Sequence, residues 1–161
     1  DVKDDPWNPR FVGAYSETYV HDIYVRNDTG YSAELSNGLT LIDFSDRSNP
    51  FSFSNKNYPF SFTHNTWLND EGDFCFTTDE TFTGFIRAFD VSDPTNIFET
   101  DRIKSELRFN VAPHNVHVLN DFLVISHYRE GITLVDAANP AFRQCPGYGY
   151  TDWAKDFLCE L

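Results

Sequence analysis

Short segments in which apolar and polar residues alternate recur along the whole chain. In the first third these segments are HDIYVR, YSAELS and LTLIDF, followed by a short apolar segment near Phe51. Alternation with a period of two residues is typical of a strand with one face packed against the core. The pattern therefore predicts four consecutive strands here, and its recurrence further along predicts an all-β chain.

The four-strand pattern is part of a longer repeat. Each of three copies begins with a histidine, at His21, His64 and His114, which is followed by Asp or Asn and, two residues later, by an aromatic or histidine ring. A glycine follows each histidine after 17, 20 and 17 residues, and an aspartate follows that glycine after 5, 6 and 5. A period of about 40 to 50 residues with four strands per copy is typical of propeller blades.

The predicted fold is therefore all-β: propeller blades of four antiparallel strands, three complete blades plus one N-terminal outer strand, in a ring that is incomplete within this chain. The chain is predicted to be one propeller segment, 1–161, with these parts: the outer strand of a preceding blade (1–16), blade one (17–59), blade two (60–109), blade three (110–145) and an irregular tail (146–161). The outer strand is placed at Phe11–Tyr15, because the acidic start of the chain and Asn8-Pro9 repeat the pattern that ends a third strand. Since propellers have about four to eight blades, we expect further blades from the same or another chain as partners.

The turns between strands carry their own signals. Asn27-Asp28-Thr29-Gly30 is predicted to be a hairpin turn, and Asn27 is also a candidate glycosylation site because it begins an Asn-x-Thr triplet. An aspartate ends each third strand, where its carboxylate can accept backbone N–H bonds; these structural-turn residues are Asp43, Asp90 and Asp136. Their presence in every copy favours turn chemistry over a glycosidase acid pair, which has to be asymmetric.

Charge and composition limit the classes of binding partner that we expect. The formal net charge of −13 opposes binding to phosphate backbones, and the sequence has neither a basic cluster nor a long apolar run. We therefore expect no nucleic-acid partner and no membrane span. Of the three cysteines, Cys75 is predicted to be buried in a strand, while Cys145 and Cys159 are a candidate disulfide in an oxidising compartment.

The repeated histidines are the main candidate site. In a propeller the first strand lines the central channel, so these three imidazoles are predicted to lie at one level, beside the polar residues that follow them. The ligand-binding candidates are His21, His64, His114, Asp22, Asn65 and Asn115. Two interpretations stay open: each histidine is a structural hydrogen-bond tie that every blade needs, or His21, His64 and His114 bind a transition metal.

Calcium is a weaker alternative for the cofactor. The clusters Asp70-Glu71-Asp73 and Asp79-Glu80 supply carboxylates, but they lack the spacing of a dedicated calcium loop. They are interpreted as solvated turns. The cofactor is therefore left open, with a transition metal favoured over calcium.

The third strands TLID, RAFDV and TLVD, together with YVHDIYV, FTHNTWL and PHNVHV, resemble the LVIVD repeat and the choice-of-anchor B group of secreted proteins. The resemblance covers residues 1–143. It implies a propeller fold and a secreted or cell-surface location, and it implies no established catalytic activity. The function expected is a binding or scaffold module for a protein or carbohydrate. The alternative is a metal-dependent enzyme with a histidine-ligated metal in the channel, which we favour less because no nucleophile motif is present.

Overall fold

The computed structural model describes residues 1–104 and 110–140, and within them the chain is all-β. Its strands form three antiparallel sheets, each in sequence order from the inner to the outer strand. The first sheet contains β1 (Asp22–Arg26), β2 (Thr29–Ala33), β3 (Leu39–Asp43) and β4 (Phe51–Lys56). The second contains β5 (Thr63–Leu68), β6 (Phe74–Asp79), β7 (Ile86–Asp90) and β8 (Phe98–Ile103), and the third contains β9 (Ala112–Leu119), β10 (Phe122–Tyr128) and β11 (Gly131–Asp136). The predicted blade pattern is confirmed as three successive sheets of four, four and three strands that do not form a closed ring.

Local sequence explains the tight first hairpin. Arg26 pairs with Thr29, so only Asn27 and Asp28 form the turn, and both have positive φ angles, of 50° and 61°. Such a turn matches the right-handed twist of the two strands, and Asn and Asp tolerate this backbone conformation well. The turn that the sequence predicted therefore sets the register of the first blade.

Two of the predicted strands need separate comment. Residues 1–21 contain no strand in this structure, so the segment Phe11–Tyr15, where an outer strand is predicted, does not pair with another strand in the described part of the chain. This segment contacts the first blade instead, where the Glu17 carboxylate accepts a hydrogen bond from the Ser52 N–H. A fourth strand for the third blade would fall after Pro140, outside the described residues.

The core lies between successive blades. One apolar cluster joins Leu39 and Leu41 of the first blade to Cys75 and Phe89 of the second. The next joins the second blade to the third and contains Phe76, Ile86, Ala88, Val116, Leu123, Ile125 and Val135. The third strand of the second blade therefore packs one face against the first blade and the other face against the third.

A polar pair occurs at the same position of every blade, and it is buried in the first two blades and partly buried in the third. In each blade, a side chain at or next to the end of the second strand pairs with a side chain on the neighbouring third strand. The pairs are Thr40 Oγ1 to Glu34 Oε2 at 2.8 Å, Arg87 Nε to Asp79 Oδ2 at 2.7 Å, and Thr133 Oγ1 with His127 Nδ1 at 3.0 Å. The position is the same in each blade, while the chemistry differs.

The pair in the second blade is an ion pair at full burial. Asp79 also accepts hydrogen bonds from the Tyr58 hydroxyl and the Phe62 N–H, and Arg87 also bonds Glu99. The interpretation of Asp79-Glu80 as a solvated turn is therefore wrong for Asp79. The cause is Arg87, whose charge compensates a carboxylate that burial alone would disfavour.

We expect Asp79→Asn to lower the free energy of unfolding by about 3 kcal/mol, because it leaves the buried Arg87 charge with one carboxylate instead of two. Urea denaturation followed by tryptophan fluorescence measures this. The control is Asp28→Asn, which removes the exposed ion pair with Arg47 and should cost less than about 1 kcal/mol. Equal losses in the two variants would show that the Asp79–Arg87 pair does not stabilise the blade.

Candidate channel-end histidine site

The first strands bring the three predicted histidines together. His21 directly precedes β1, whereas His64 and His114 lie near the starts of β5 and β9. The His21 and His64 ring centroids are 4.4 Å apart, and those of His64 and His114 are 4.3 Å apart. His21 is exposed, His64 is buried and His114 is half-buried. The repeat thus stacks one imidazole per blade into a single row.

The row continues into tyrosines at both ends. The Tyr19 ring lies 6.4 Å from His21, and the Tyr128 ring lies 4.9 Å from His114, both in edge-on geometry. Both tyrosines are exposed. The result is a row of rings with a polar, buried centre and accessible aromatic ends.

Backbone carbonyl groups fix the tautomer of the histidines. His21 Nδ1 lies 3.2 Å from the His64 carbonyl oxygen, and His64 Nδ1 lies 3.0 Å from that of His114. A carbonyl oxygen only accepts hydrogen bonds, so each Nδ1 carries the proton and donates. The neutral ring then has a free lone pair on Nε2. His21 and His64 therefore each link two blades through Nδ1, while the Nε2 lone pair is free to bind another group.

Glu80 is interpreted from the sequence as part of a solvated turn and is not placed beside the histidines. Its two carboxylate oxygens lie 3.3 Å from His64 Nε2 and 3.6 Å from His114 Nε2. It follows β6 directly, and the pairing of Asp79 with Thr63 places it beside His64. The ligand atoms of His64, Glu80 and His114 all lie within 4.8 Å of one another, whereas His21 is not part of this group. Pairing the residues of the predicted hairpin between the first and second strands would have placed Glu80 beside His64.

The charges around the group are partly buried. Burial lowers the pKa of His64, and the Glu80 carboxylate opposes that shift. A hydrogen bond to Glu80 raises the pKa of Tyr128, because losing the phenol proton would place two negative charges side by side. The Tyr128 hydroxyl therefore lies close to the Glu80 carboxylate.

The polar residues next to the histidines form a second set of ties. Asn65 Nδ2 donates to Asp22 Oδ2 at 2.5 Å, and Asn65 Oδ1 accepts from the Val116 N–H at 2.8 Å. Asn65 thus links the first blade to the third through the second. The equivalent atom in the third blade, Asn115 Oδ1, is buried without a hydrogen-bond partner in the described part of the chain.

The remaining candidates lie away from this row. Each third-strand aspartate accepts a hydrogen bond from the N–H two residues later: Asp43 from Ser45, Asp90 from Ser92 and Asp136 from Ala138. The strand register places them at the opposite end of the blades from the histidines, where exposed Asn27 also lies. Cys75 is buried, and burial raises the pKa of its thiol. Cys145 and Cys159 lie outside the described residues.

The fold and the repeated site define a class of protein, a repeat protein built from propeller-type blades. Comparison with known families agrees with this: residues 18–57, which include the whole first sheet, match the model of the LVIVD repeat. The chain therefore carries the repeat that its sequence resembles. No curated protein matches it. Among residues 1–104 and 110–140 there is no helix that could cross a membrane.

We expect Asn65→Ala to lower the free energy of unfolding by about 2–4 kcal/mol, since it removes two hydrogen bonds and leaves the buried Val116 N–H without a partner. Asn115→Ala is the matched control at the same repeat position, and it should change stability by less than about 1 kcal/mol. Urea denaturation of both variants measures the difference. Equal costs would contradict the view that these amides act as ties between blades.

Proposed function

We propose that this chain is an extracellular or cell-surface binding and scaffold module whose LVIVD-type blades belong to a larger or oligomeric propeller. The observation that carries the proposal is the exposure of one face of the third blade. Leu39 and Leu41 in the first blade are 0% exposed, while the equivalent Ile132 and Leu134 in the third blade are 74% and 53% exposed. Exposed apolar residues at positions that the repeat otherwise buries indicate a face that binds something similar.

The hydrogen bonds between blades also indicate that a further blade is the partner. Two histidines bond the carbonyl group of the next blade, whereas His114 Nδ1 makes no such bond within the described residues. Asn115 Oδ1 also lacks the N–H that its counterpart Asn65 receives. Apolar side chains, an amide and an imidazole thus all lack the contacts that a following blade makes elsewhere in the repeat. A further blade of the same repeat satisfies all three.

The site for a ligand is proposed at the row of rings. Its tyrosine ends are exposed, and flat aromatic surfaces next to carboxylate and amide groups suit a carbohydrate or a protein segment. The location outside the cell is proposed from the resemblance to secreted repeat proteins. The exposed position of Asn27 in a tight turn is compatible with glycan attachment there.

A metal-dependent enzyme is the second candidate function. The observation in its favour is the convergence of His64, Glu80 and His114, since two histidines and a glutamate with one open position are a known catalytic zinc arrangement. Catalysis would require a metal ion bound by these three residues and a binding site for a substrate next to that ion. Failure of the chain to bind any transition metal would exclude this candidate and leave the binding module.

We expect the chain to self-associate in solution through the exposed face of the third blade, and Leu134→Glu to weaken that association at least about tenfold. The reason is that burying a leucine side chain contributes about 1.5–3 kcal/mol, and 1.4 kcal/mol is a factor of ten. Sedimentation equilibrium across micromolar concentrations measures the association constant.

The control for this measurement is Phe98→Glu, which places the same charge at an exposed apolar residue on the outer strand of the second blade. It should leave the association constant unchanged. A folded chain that stays monomeric at every concentration would contradict the proposal that another blade covers this face.

A further inference from the structure

We propose that His64, Glu80 and His114 form a binding site for one divalent transition metal ion, with zinc as the best-fitting example. All three ligands come from the second and third blades, so the site exists whether or not further blades complete the ring. The inference therefore goes beyond the module proposed above. It also differs from the three-histidine set that the sequence suggests, because Glu80 takes the place of His21.

The distances between ligand atoms fit a tetrahedral ion. Zinc bonds histidine nitrogen and carboxylate oxygen at about 2.0–2.2 Å, so two ligands of a tetrahedral site lie about 3.3–3.6 Å apart. His64 Nε2 and His114 Nε2 are 3.3 Å and 3.6 Å from the two Glu80 oxygens. Each histidine nitrogen therefore lies at a tetrahedral edge length from one Glu80 oxygen, and side-chain rotations bring the three ligand atoms, which all lie within 4.8 Å of one another, onto one ion.

The hydrogen bond that His64 makes through Nδ1 leaves no proton on Nε2 that could be donated to Glu80. Its Nδ1 donates to the His114 carbonyl oxygen, so in the neutral ring Nε2 carries a lone pair. That lone pair faces a carboxylate oxygen, which also only accepts. Two acceptors at 3.3 Å repel each other unless a cation lies between them. A metal ion bound by both atoms removes this repulsion.

Neighbouring groups already orient the ligands. Metal-bound histidines almost always donate their other ring N–H to a carbonyl or carboxylate group, as His64 does. The Tyr128 hydroxyl lies close to Glu80, and its ring lies against His114. Glu80 and His114 are only half-buried, so a fourth position is accessible to water or to a ligand group. Imidazole ligands favour zinc, copper, iron or nickel over calcium and magnesium.

The test uses the untagged full chain, treated with a chelator and dialysed. Isothermal titration calorimetry with ZnCl₂ should show saturable binding of one ion per chain, and CoCl₂ should give the intense visible absorption bands of a tetrahedral site. Calcium and magnesium at the same concentrations are controls for weak attraction to a chain of net charge −13. Zinc should also raise the melting temperature, because a ligand that binds only the folded chain stabilises it.

The variants locate the site. Glu80→Gln keeps the shape of the side chain and should weaken zinc binding by more than about 100-fold, as should His114→Ala; Tyr128→Phe should weaken it by about 10- to 100-fold. His117→Ala is the control, because this exposed ring packs against Trp67 away from the site. His21→Ala should also leave the affinity within a few-fold. Circular dichroism of each variant verifies that it is folded before binding is compared.

Several results would overturn the proposal. The first is the absence of saturable zinc binding to the folded chain. The second is unchanged zinc affinity in Glu80→Gln. The third is a loss in His21→Ala as large as that in His114→Ala, which would favour the three-histidine set. The self-association described above is measured separately and can fail without affecting any of these results.

Discussion

The packing of third strands against neighbouring blades is the interaction on which the rest of this structure depends. Leu39 and Leu41 on one blade meet Cys75 and Phe89 on the next, and the following pair of blades repeats the arrangement. A single four-stranded sheet buries little apolar surface, so each blade is stable only against its neighbours. This stacking also places the first strands side by side, and only for that reason do histidines 43 and 50 residues apart in sequence contact one another.

Structural and chemical roles of the histidines are compatible, because they use different nitrogens. Nδ1 of His21 and His64 ties each blade to the next through a backbone carbonyl group. The same bond holds the ring in one orientation and directs Nε2 toward the end of the blades, where Glu80 lies. The hydrogen bonds that link the blades therefore also align the histidine nitrogens that we propose as metal ligands. Glu80, which only the second blade carries, makes this row asymmetric.

The second blade differs from its neighbours at two adjacent positions. The polar pair that is Glu34–Thr40 in the first blade and His127–Thr133 in the third is the ion pair Asp79–Arg87 here. The next residue is Leu35, Glu80 or Tyr128 in the three blades, and the last two of these lie close to each other across the blade interface. The repeat conserves geometry, while substitutions at these two positions create a site that one blade alone does not contain.

The amino-acid sequence by itself determined the strands, the tight turn at Asn27-Asp28 and the blade repeat, because alternation, turn chemistry and periodicity are local properties of the chain. It also identified His21, His64 and His114 as neighbours, since equivalent residues of stacked repeats lie together. Only the tertiary structure decided that Glu80 faces two of these rings, that Asp79 is buried beside Arg87, and that Ile132 and Leu134 remain exposed. These facts depend on hairpin register and on which face meets another blade, and neither is encoded in any single segment.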